Sequence, residues 1–263
     1  MNVRVSSSVI FPRVPLVSVI IPARNEEHFI GACLESIRVA GSDYAGQVEV
    51  IVVLNRCTDR TEEIAHAFGA RTIREDARNL ARIRNAGVRS AVGDVLVTID
   101  ADSRMSPGTL AAIDRTLPSG TTVGGGTIIR PDRLSLGITS TLWLFTLWTR
   151  LCGLSGGLFW CYRRDFEAIG GFDENLVSAE DVDFARRLKV YGQKTDRSFS
   201  ALRGGYIVTS CRKFDVFGDW CVFTKPLLFW RLLRGTHRQD ADAFYYDFER
   251  EHHGSANRHR MRL

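Results

Sequence analysis

The chain has 263 residues, of which 44% are hydrophobic and 25% are charged, and it carries a formal net charge of +5. This composition is ordinary for a globular protein, so it argues against long disordered regions, and the length permits one large domain or two small ones. The basic surplus favours an anionic partner, such as a phosphorylated substrate, nucleic acid or acidic lipid, without choosing among them.

The cysteines and the N-terminus indicate the cellular compartment in which the protein is found. The six cysteines form no C-x-x-C pair and match no zinc-binding spacing, so we expect buried thiols in a reducing environment. The first fifteen residues lack the apolar core of a signal peptide. The uncharged run between Arg133 and Arg150 falls short of the about 18 apolar residues of a spanning helix. The sequence therefore predicts a cytoplasmic protein.

The first half of the chain alternates between apolar strands and amphipathic helices. Strands are predicted at 16–22, 48–54, 70–73 and 94–100, and helices at 25–40, 59–69, 77–92 and 106–117. Near-continuous apolar strands that alternate with helices predict an α/β fold, with a mostly parallel central sheet covered by helices on both faces.

Polar clusters follow three of these strands, at residues 22–26, 55–59 and 100–102. Because the carboxyl ends of parallel strands meet at one edge of a sheet, we expect the three clusters to lie together. Ligands of open α/β sheets bind in the crevice beyond that edge.

The second half is less regular. A strand with a glycine bend is predicted at 121–129, and helices at 136–151 and 179–191. Residues 154–176 are rich in glycine and aromatic side chains and then turn-like, and the tail from residue 213 mixes aromatic with basic residues.

Asp100 and Asp102 end a strand that is otherwise apolar. Strand residues two apart point to the same face, about 7 Å apart, so both carboxylates could bind one divalent cation together with a diphosphate. A polar turn explains the same pattern, and for this stretch taken alone the turn is the better explanation.

A second acidic group opens the helix predicted at 179–191. Ser178 and Asp181 match a capping box, and acidic residues in a first helical turn are stabilised by the helix dipole. In a functional interpretation, Glu180 or Asp181 is a general base that accepts a proton from a hydroxyl group. The two interpretations are compatible.

The segment Gly153–Leu–Ser–Gly–Gly157 matches the G-x-S-x-G elbow of serine hydrolases, and Asp181 and His237 follow Ser155 in the order that fold uses. The elbow needs a preceding strand, however, and the preceding residues predict a helix. The sequence contains no G-x-G-x-x-G, P-loop or H-E-x-x-H motif, which removes the usual support for nicotinamide, P-loop and zinc-protease chemistry.

Four segments appear in an order that resembles one family. They are VSVIIPARNEE, VIVVLNRCTDRT, LARIRNAGVRSAVGDVLVTIDADS and GGFDENLVSAEDVDFARRL. Together they resemble the nucleotide-sugar glycosyltransferases of family 2, which have the A-type glycosyltransferase (GT-A) fold. The resemblance implies one Rossmann-like domain at 15–212, with a nucleotide-binding half (15–117) and an acceptor half (118–212), followed by a helical tail (213–263).

The resemblance also implies an inverting, metal-dependent enzyme of the hexosyltransferase type, with Mn2+ or Mg2+ and a donor linked to UDP or GDP. Asp102 would bind the metal, Asp100 would contact the ribose side, and Asp181, with Glu180 beside it, would activate the acceptor hydroxyl. The residues implied to bind the nucleotide sugar are Pro22, Ala23, Arg24, Glu26, Asn55, Arg84, Asp100, Ala101 and Asp102. Those implied to shape the sugar and acceptor site are Gly156, Gly157 and Trp160, and Arg212 is a weaker match to a residue near the diphosphate.

The sequence departs from the family pattern at Leu54 and Asn55, which replace two acidic residues, so uridine specificity is in doubt. No Q-x-x-R-W motif follows the acidic helix, which argues against a processive synthase. A nucleotidyltransferase is the main alternative, but it would need a glycine-rich, lysine-bearing loop after the first strand. A non-catalytic sugar-nucleotide-binding module is disfavoured by the intact acidic pairs.

The partners follow from this assignment. The donor is a nucleoside diphosphate sugar, the acceptor is a sugar, a lipid-linked molecule or a small molecule, and no nucleic acid is expected. The tail, with Trp220, Phe223 and Trp230 beside basic residues, could touch anionic lipid at the inner face of the cell membrane. Packing of these aromatics on the catalytic domain is favoured, because Asp219 and Pro226 interrupt the run. A homodimer is left open.

Overall fold

The computed structural model describes residues 16–235 and 237–239. The first half contains strands β1 (Val17–Ala23), β2 (Val48–Leu54), β3 (Arg71–Arg74) and β4 (Val95–Ile99), and helices α1 (Ile30–Ser42), α2 (Thr61–Ala67) and α3 (Leu80–Ser90). The second half contains β5 (Ser103–Met105), α4 (Thr109–Thr116), a 3-10 turn (Leu117–Ser119), β6 (Thr122–Pro131), α5 (Leu136–Cys152), β7 (Gly156–Tyr162), α6 (Arg163–Ala168), α7 (Glu180–Lys194), β8 (Ser198–Thr209), α8 (Arg212–Phe217), α9 (Cys221–Thr224) and α10 (Pro226–Arg234).

The eight strands form one sheet in the order β3-β2-β1-β4-β7-β6-β8-β5. Strands β3, β2, β1 and β4 are parallel, as the apolar runs predict. Beyond β4 the sheet is mixed, because β7 pairs antiparallel with β4 and β6, and β8 pairs parallel with β6 but antiparallel with β5. The predicted α/β fold with a central sheet is confirmed.

The core lies on both faces of the sheet. Alternate residues of β1 divide between the two faces: Val19 and Ile21 join one apolar cluster with α1 and α4, whereas Ile20 joins the other with α3 and α7. Two covered faces explain why the parallel strands are apolar at almost every position. The ends of these strands are therefore held by packing from both sides.

Strands β7 and β8 and helix α6 were not predicted from the sequence. The segment that is glycine-rich in the sequence becomes β7, and β8 is a twelve-residue strand that contains Gly204 and Gly205. All six cysteines lie in the described part of the chain as free thiols. Four of them are buried, Cys57 is partly buried and Cys152 is exposed.

Candidate active site

The three polar clusters meet at the carboxyl edge of β1, β2 and β4, as the sequence predicts. The ends of β1 and β2 are in register, with Ala23 opposite Leu54, and the Asn55 amide donates a 2.8 Å hydrogen bond to the Ala23 carbonyl. A pocket opens at this edge. Its walls are formed by Pro22, Ala23, Arg24, Glu26, Asn55, Leu80, Ile83, Asp100, Ala101, Asp102, Val177, Glu180, Arg212 and Lys213.

The backbone is strained at three places around the pocket. Asn25 follows β1 with φ of 51°, Arg56 follows β2 with φ of 52°, and Ala179 precedes α7 with φ of 56°. Non-glycine residues rarely adopt this left-handed conformation, and such residues concentrate at functional sites. The strain thus marks the same edge of the sheet as the polar side chains do.

Arg84 is a buried cation behind the pocket. Its Nη2 atom donates a 2.7 Å hydrogen bond to Asp100 Oδ1, and its Nη1 atom donates to Glu180 Oε1. Burial alone would lower the pKa of Arg84, but the charges of Asp100, Glu180 and Asp181 more than offset it and the pKa is raised. Arg84 therefore stays charged and ties the end of β4 to the beginning of α7.

Helix α3 can place Arg84 there because it packs closely on the sheet at Gly87. A Cβ atom at Gly87 would lie 2.4 Å from Ile20 Cγ2 and 2.9 Å from Val53 Cγ2. Only a glycine permits this distance between helix and sheet. This packing fixes how close the helix lies to the sheet. It therefore also fixes how far Arg84, one turn earlier on the helix, extends into the site.

Glu180 is the buried carboxylate of the acidic pair, with a side chain only 6% exposed. Burial raises its pKa, and the nearby charge of Arg84 opposes that effect. Asp181 is partly buried, and its Oδ1 atom accepts a 2.8 Å hydrogen bond from the Val182 amide. Glu180 thus forms part of the pocket wall, and Asp181 lies beside it in the first turn of α7.

The capping box predicted for this helix does not form. The residue that caps α7 is Ala179, and the Ser178 hydroxyl instead donates a 2.7 Å hydrogen bond to the Leu232 carbonyl of α10. Ser178 and Asp181 match the capping-box pattern, but the Ser178 hydroxyl instead bonds to a residue 54 positions further along the chain. The capping interaction therefore does not tie up the Asp181 carboxylate.

Arg212 joins two carboxylates on the opposite wall. It forms a bidentate pair with Glu26, at 2.8 and 2.5 Å, and its Nε atom lies 3.2 Å from Asp102 Oδ2. Burial raises the pKa of Asp102, although the charges of Arg212 and Lys213 oppose the shift. The Asp102 carboxylate is therefore only partly compensated by the protein's own cations.

Lys213 is a pocket residue that the sequence analysis missed. Burial lowers the pKa of its ammonium group, while the charges of Asp102 and Asp100 raise it. The residue reaches the pocket because β8 pairs with β5 and the Ser210 amide donates a 3.2 Å hydrogen bond to the Asp102 carbonyl. In the sequence, the only indication that Lys213 belongs to the pocket was the adjacent Arg212, which matches the family pattern weakly.

Asn55 lies in the pocket wall, but both hydrogens of its side-chain amide are bonded to backbone carbonyls of the protein. The Nδ2 atom donates to the carbonyls of Glu75 and Ala77, at 2.6 and 2.8 Å, and the residue is only 1% exposed. No hydrogen of this amide is left for a ligand, so a contact of Asn55 with the nucleotide stays a prediction that would use its side-chain oxygen. Asn55 also holds the loop before α3.

Gly156 and Gly157 begin β7 beside the end of β4. Leu158 pairs with Ile99, so the two glycines lie just beyond it, at the edge where Asp100 is found. Trp160 does not lie there. Its side chain is fully buried, and its indole N–H donates a 3.2 Å hydrogen bond to the Gly126 carbonyl. The assignment of Trp160 to the acceptor site is corrected: it is a core residue.

The serine elbow is not present in the structure. Ser155 lies between helix α5 and strand β7, the reverse of the strand-to-helix turn that the motif requires. Its hydroxyl oxygen accepts a 2.8 Å hydrogen bond from the Gly126 amide. The sequence match to the hydrolase motif therefore has no structural counterpart.

The aromatic side chains of the tail do not pack fully on the domain, contrary to the interpretation favoured by the sequence. Trp220, Phe223 and Trp230 remain 49%, 44% and 48% exposed.

In the described part of the chain, no helix has both the length and the apolar character required to cross a bilayer. Residues 240–263 of the predicted tail lie outside the described residues.

Comparison with known proteins shows which families and solved structures the chain resembles. Residues 18–146 match the model of the family described as "Glycosyl transferase family 2". "Putative glycosyltransferase EpsH" of Bacillus subtilis is 30% identical over 98 residues, which span 35% of this chain and 28% of that protein. "Glycosyltransferase AglE" of Haloferax volcanii is 29% identical over 226 residues, which span 78% of this chain and 69% of that protein.

Among solved structures, the mannosyltransferase PcManGT from Pyrobaculum calidifontis, in complex with GDP-Man and Mn2+, has a similar fold. Its TM-score is 0.62 at 22% identity, over 88% of this chain and 64% of that chain. The chain has the GT-A fold of glycosyltransferases. Residues 18–146, just under half of the chain, resemble glycosyltransferase family 2.

Proposed function

We propose that the chain transfers a sugar from a nucleoside diphosphate sugar to an acceptor hydroxyl, with inversion at the anomeric carbon. The observation that carries this proposal is the meeting of Asp100 and Asp102 with Glu180, Arg212 and Lys213 in one pocket at the carboxyl edge of the sheet. Residues 15–117 would supply the nucleotide-binding half and residues 118–212 the acceptor half.

The charges of the site suit a diphosphate together with a divalent cation. Five carboxylates (Glu26, Asp100, Asp102, Glu180 and Asp181) face four cations (Arg24, Arg84, Arg212 and Lys213), so the formal charges nearly cancel. A nucleoside diphosphate sugar and a divalent cation also cancel each other's charge. The pair would therefore add no net charge to a partly buried site, whereas either partner alone would add one.

Asp102 fits a divalent metal. It offers hard carboxylate oxygens in a buried position, where burial raises the pKa of Asp102 although Arg212 and Lys213 oppose the shift. In the described residues, no three His, Cys, Asp or Glu side chains cluster as a metal site, so the donor's diphosphate would complete the coordination. The bound cation would offset negative charge on the departing diphosphate, and the fold relative PcManGT was solved with Mn2+.

Asp181 is the proposed general base. The Glu180 carboxylate is occupied by Arg84, which leaves the partly exposed Asp181 as the member of the pair that can meet an acceptor. The acceptor oxygen forms a bond to the anomeric carbon as the bond to the diphosphate oxygen breaks, and Asp181 receives the hydroxyl proton. Attack opposite the leaving group inverts the anomeric centre, through a transition state with oxocarbenium character.

The remaining residues position the donor. Arg212 and Lys213 would contact the diphosphate oxygens, since both are cations in the pocket wall next to Asp102. Pro22, Ala23 and Arg24 would border the nucleotide at the end of β1. Gly156 would leave space beside the end of β4 for the sugar, whereas the space at Gly157 is filled by Ile129 and Ile207.

The test is a transfer assay with Mn2+ and a panel of nucleotide sugars, in which release of nucleoside diphosphate is followed together with sugar transfer. We expect Asp181→Asn to retain donor binding but to lose about 100-fold or more in turnover. Asp183→Asn, on the same helix, is the matched control and should retain turnover. Full activity of Asp181→Asn would refute the assignment of the base, and loss of activity in Ser155→Ala alone would revive the hydrolase.

A further inference from the structure

Helix α5 exposes its apolar face. Only Gly137, Ile138 and Thr149 of its seventeen residues are buried, and Arg150 is its single charged residue. At 3.6 residues per turn, five of its six large exposed apolar side chains fall within an arc of about 100°, and Phe145 lies outside it. This exposed stripe consists of Leu136, Trp143, Leu144, Leu147 and Leu151, at 81%, 68%, 44%, 41% and 79% exposure.

The segment 220–234 repeats the pattern. In α10 only Leu232 is buried, while Leu227, Trp230 and Leu233 are 57%, 48% and 58% exposed. The Arg234 guanidinium lies 3.6 Å from the centre of the Trp230 ring, which combines a cation with an exposed aromatic surface. This is the composition of a helix that lies in a lipid–water interface.

The two apolar surfaces are joined where α5 begins. Arg133, just before α5, forms a 2.7 Å ion pair with Asp219, just before Trp220. A Cβ atom at Gly137 would lie 2.5 Å from the Asp219 carbonyl oxygen, so the first turn of α5 packs directly on this connection. The stripe on α5 and the segment 220–234 are therefore fastened together as one surface.

We infer that α5 and residues 220–234 form a docking surface for an anionic lipid bilayer. Four of the chain's five tryptophans lie in these two segments, at 143, 148, 220 and 230, and tryptophan is favoured where an apolar phase meets water. Neither α5 nor α10 contains an acidic residue, whereas they carry Arg150, Arg231 and Arg234. Anionic headgroups would complement these cations.

A second copy of the chain is the less suitable occupant of this surface. Self-association would bring the same arginines against one another, and like charges across an interface disfavour binding. An exposed apolar surface of this extent on a protein marks an interaction site. An anionic bilayer offers an apolar phase to the exposed stripe and negatively charged headgroups to the basic residues at the margin of the stripe.

The surface adjoins the candidate active site. The Ser178 hydroxyl and the Val177 amide donate to the carbonyls of Leu232 and Gly235, at 2.7 and 2.9 Å. Val177 lines the pocket, and Glu180 follows two residues after Ser178. A docked enzyme would hold the acceptor side of its pocket near the lipid, and this last consequence alone rests on the proposed function.

The experiment is co-sedimentation of the full chain with vesicles of phosphatidylcholine, alone or mixed with phosphatidylglycerol. We expect stronger binding to the anionic vesicles, and a loss of at least about tenfold in partition for the double variant Trp143→Glu/Leu147→Glu, because each side chain would leave the apolar phase. Phe68→Glu, at a residue 45% exposed in the nucleotide half, is the matched control and should stay within about twofold of the wild type.

Three results would overturn the inference. The first is a wild type that does not bind anionic vesicles. The second is equal binding by the double variant and the wild type. The third is a wild type that ignores vesicles but forms a dimer which the double variant abolishes, since this would assign the surface to a second copy. Nucleotide-sugar binding, measured on the same proteins without vesicles, separates failure of this inference from failure of the proposed function and shows that the variants are folded.

Discussion

The guanidinium of Arg84, on α3, donates a 2.7 Å hydrogen bond to the carboxylate of Asp100, which directly follows β4. Arg84 is 7% exposed, and its other amino group bonds to Glu180 on α7. One buried cation thus fixes two carboxylates that come from elements far apart in the chain. It positions the acidic wall of the pocket.

Replacement of Arg84 by alanine should leave Glu180 buried without its cation. Breaking a buried ion pair from one side costs about 3 kcal/mol or more, so the free energy of unfolding should fall by about that amount. Chemical denaturation measures it. Arg89→Ala, also on α3, removes a 59% exposed arginine that lies 3.4 Å from Glu174 and should have almost no effect. Equal losses in the two variants would contradict the role given to Arg84.

The sequence alone predicted the part of the site that belongs to parallel strands. Strands β1, β2 and β4 are apolar runs that end in polar residues, and chain order places those ends together without knowledge of side-chain contacts. Asp100 and Asp102 were found for that reason. The strands β7 and β8 were missed because their glycines interrupt the alternation by which strands are recognised.

Long-range contacts account for the rest of what was missed. The pairing of Arg84 with Glu180 spans 96 residues, and Lys213 reaches the pocket only through the pairing of β8 with β5. Ser178 matched a local capping pattern, yet its hydroxyl bonds to Leu232. Trp160 was assigned by its place beside Gly156 and Gly157, whereas strand alternation directs its side chain into the core.

Glu180→Gln should change the dependence of stability on pH. Burial raises the pKa of Glu180, with Arg84 opposing and Asp181 and Asp100 adding to the effect. The folded state therefore holds this proton more strongly than the unfolded state does. The stability due to the protonated group is complete below the ordinary value of 4.5 and is lost as pH rises through the raised pKa.

The glutamine variant keeps a neutral group at all pH values, so its stability relative to the wild type should increase from about pH 5 to about pH 8. Denaturant unfolding at these two pH values measures the change. Glu167→Gln, at a carboxylate 63% exposed on α6, reports the effect of losing one surface charge. A difference between Glu180→Gln and wild type that does not move with pH would contradict the burial argument.

Trp160→Phe should reduce stability rather than acceptor affinity. The change removes the 3.2 Å hydrogen bond to Gly126 and leaves a cavity in the core, for an expected loss of about 2 kcal/mol in the free energy of unfolding. Trp143→Phe, at a residue 68% exposed, should have little effect. An unchanged stability together with a raised KM for the acceptor would return Trp160 to the acceptor site.

Gly87→Ala should separate α3 from the sheet. The added methyl group would overlap Ile20 and Val53, and overpacking of this kind costs about 1–3 kcal/mol of stability. Since Arg84 is carried on the same helix, donor binding should weaken as well. Gly31→Ala, where the nearest atoms lie 3.7 Å away, is the matched helical control and should be neutral or slightly stabilising. A stable Gly87→Ala variant with full donor affinity would contradict the packing described for α3.

Calorimetric titration of GDP and UDP, with and without Mn2+, tests the central claim most directly. If the pocket binds a metal–diphosphate pair through Asp102, Mn2+ should strengthen binding of at least one nucleotide by about tenfold or more. This gain should vanish in Asp102→Asn and persist in Asp94→Asn, a change at an exposed aspartate just before β4. Equal affinity with and without Mn2+, or an undiminished gain in Asp102→Asn, would contradict the proposed metal-dependent site.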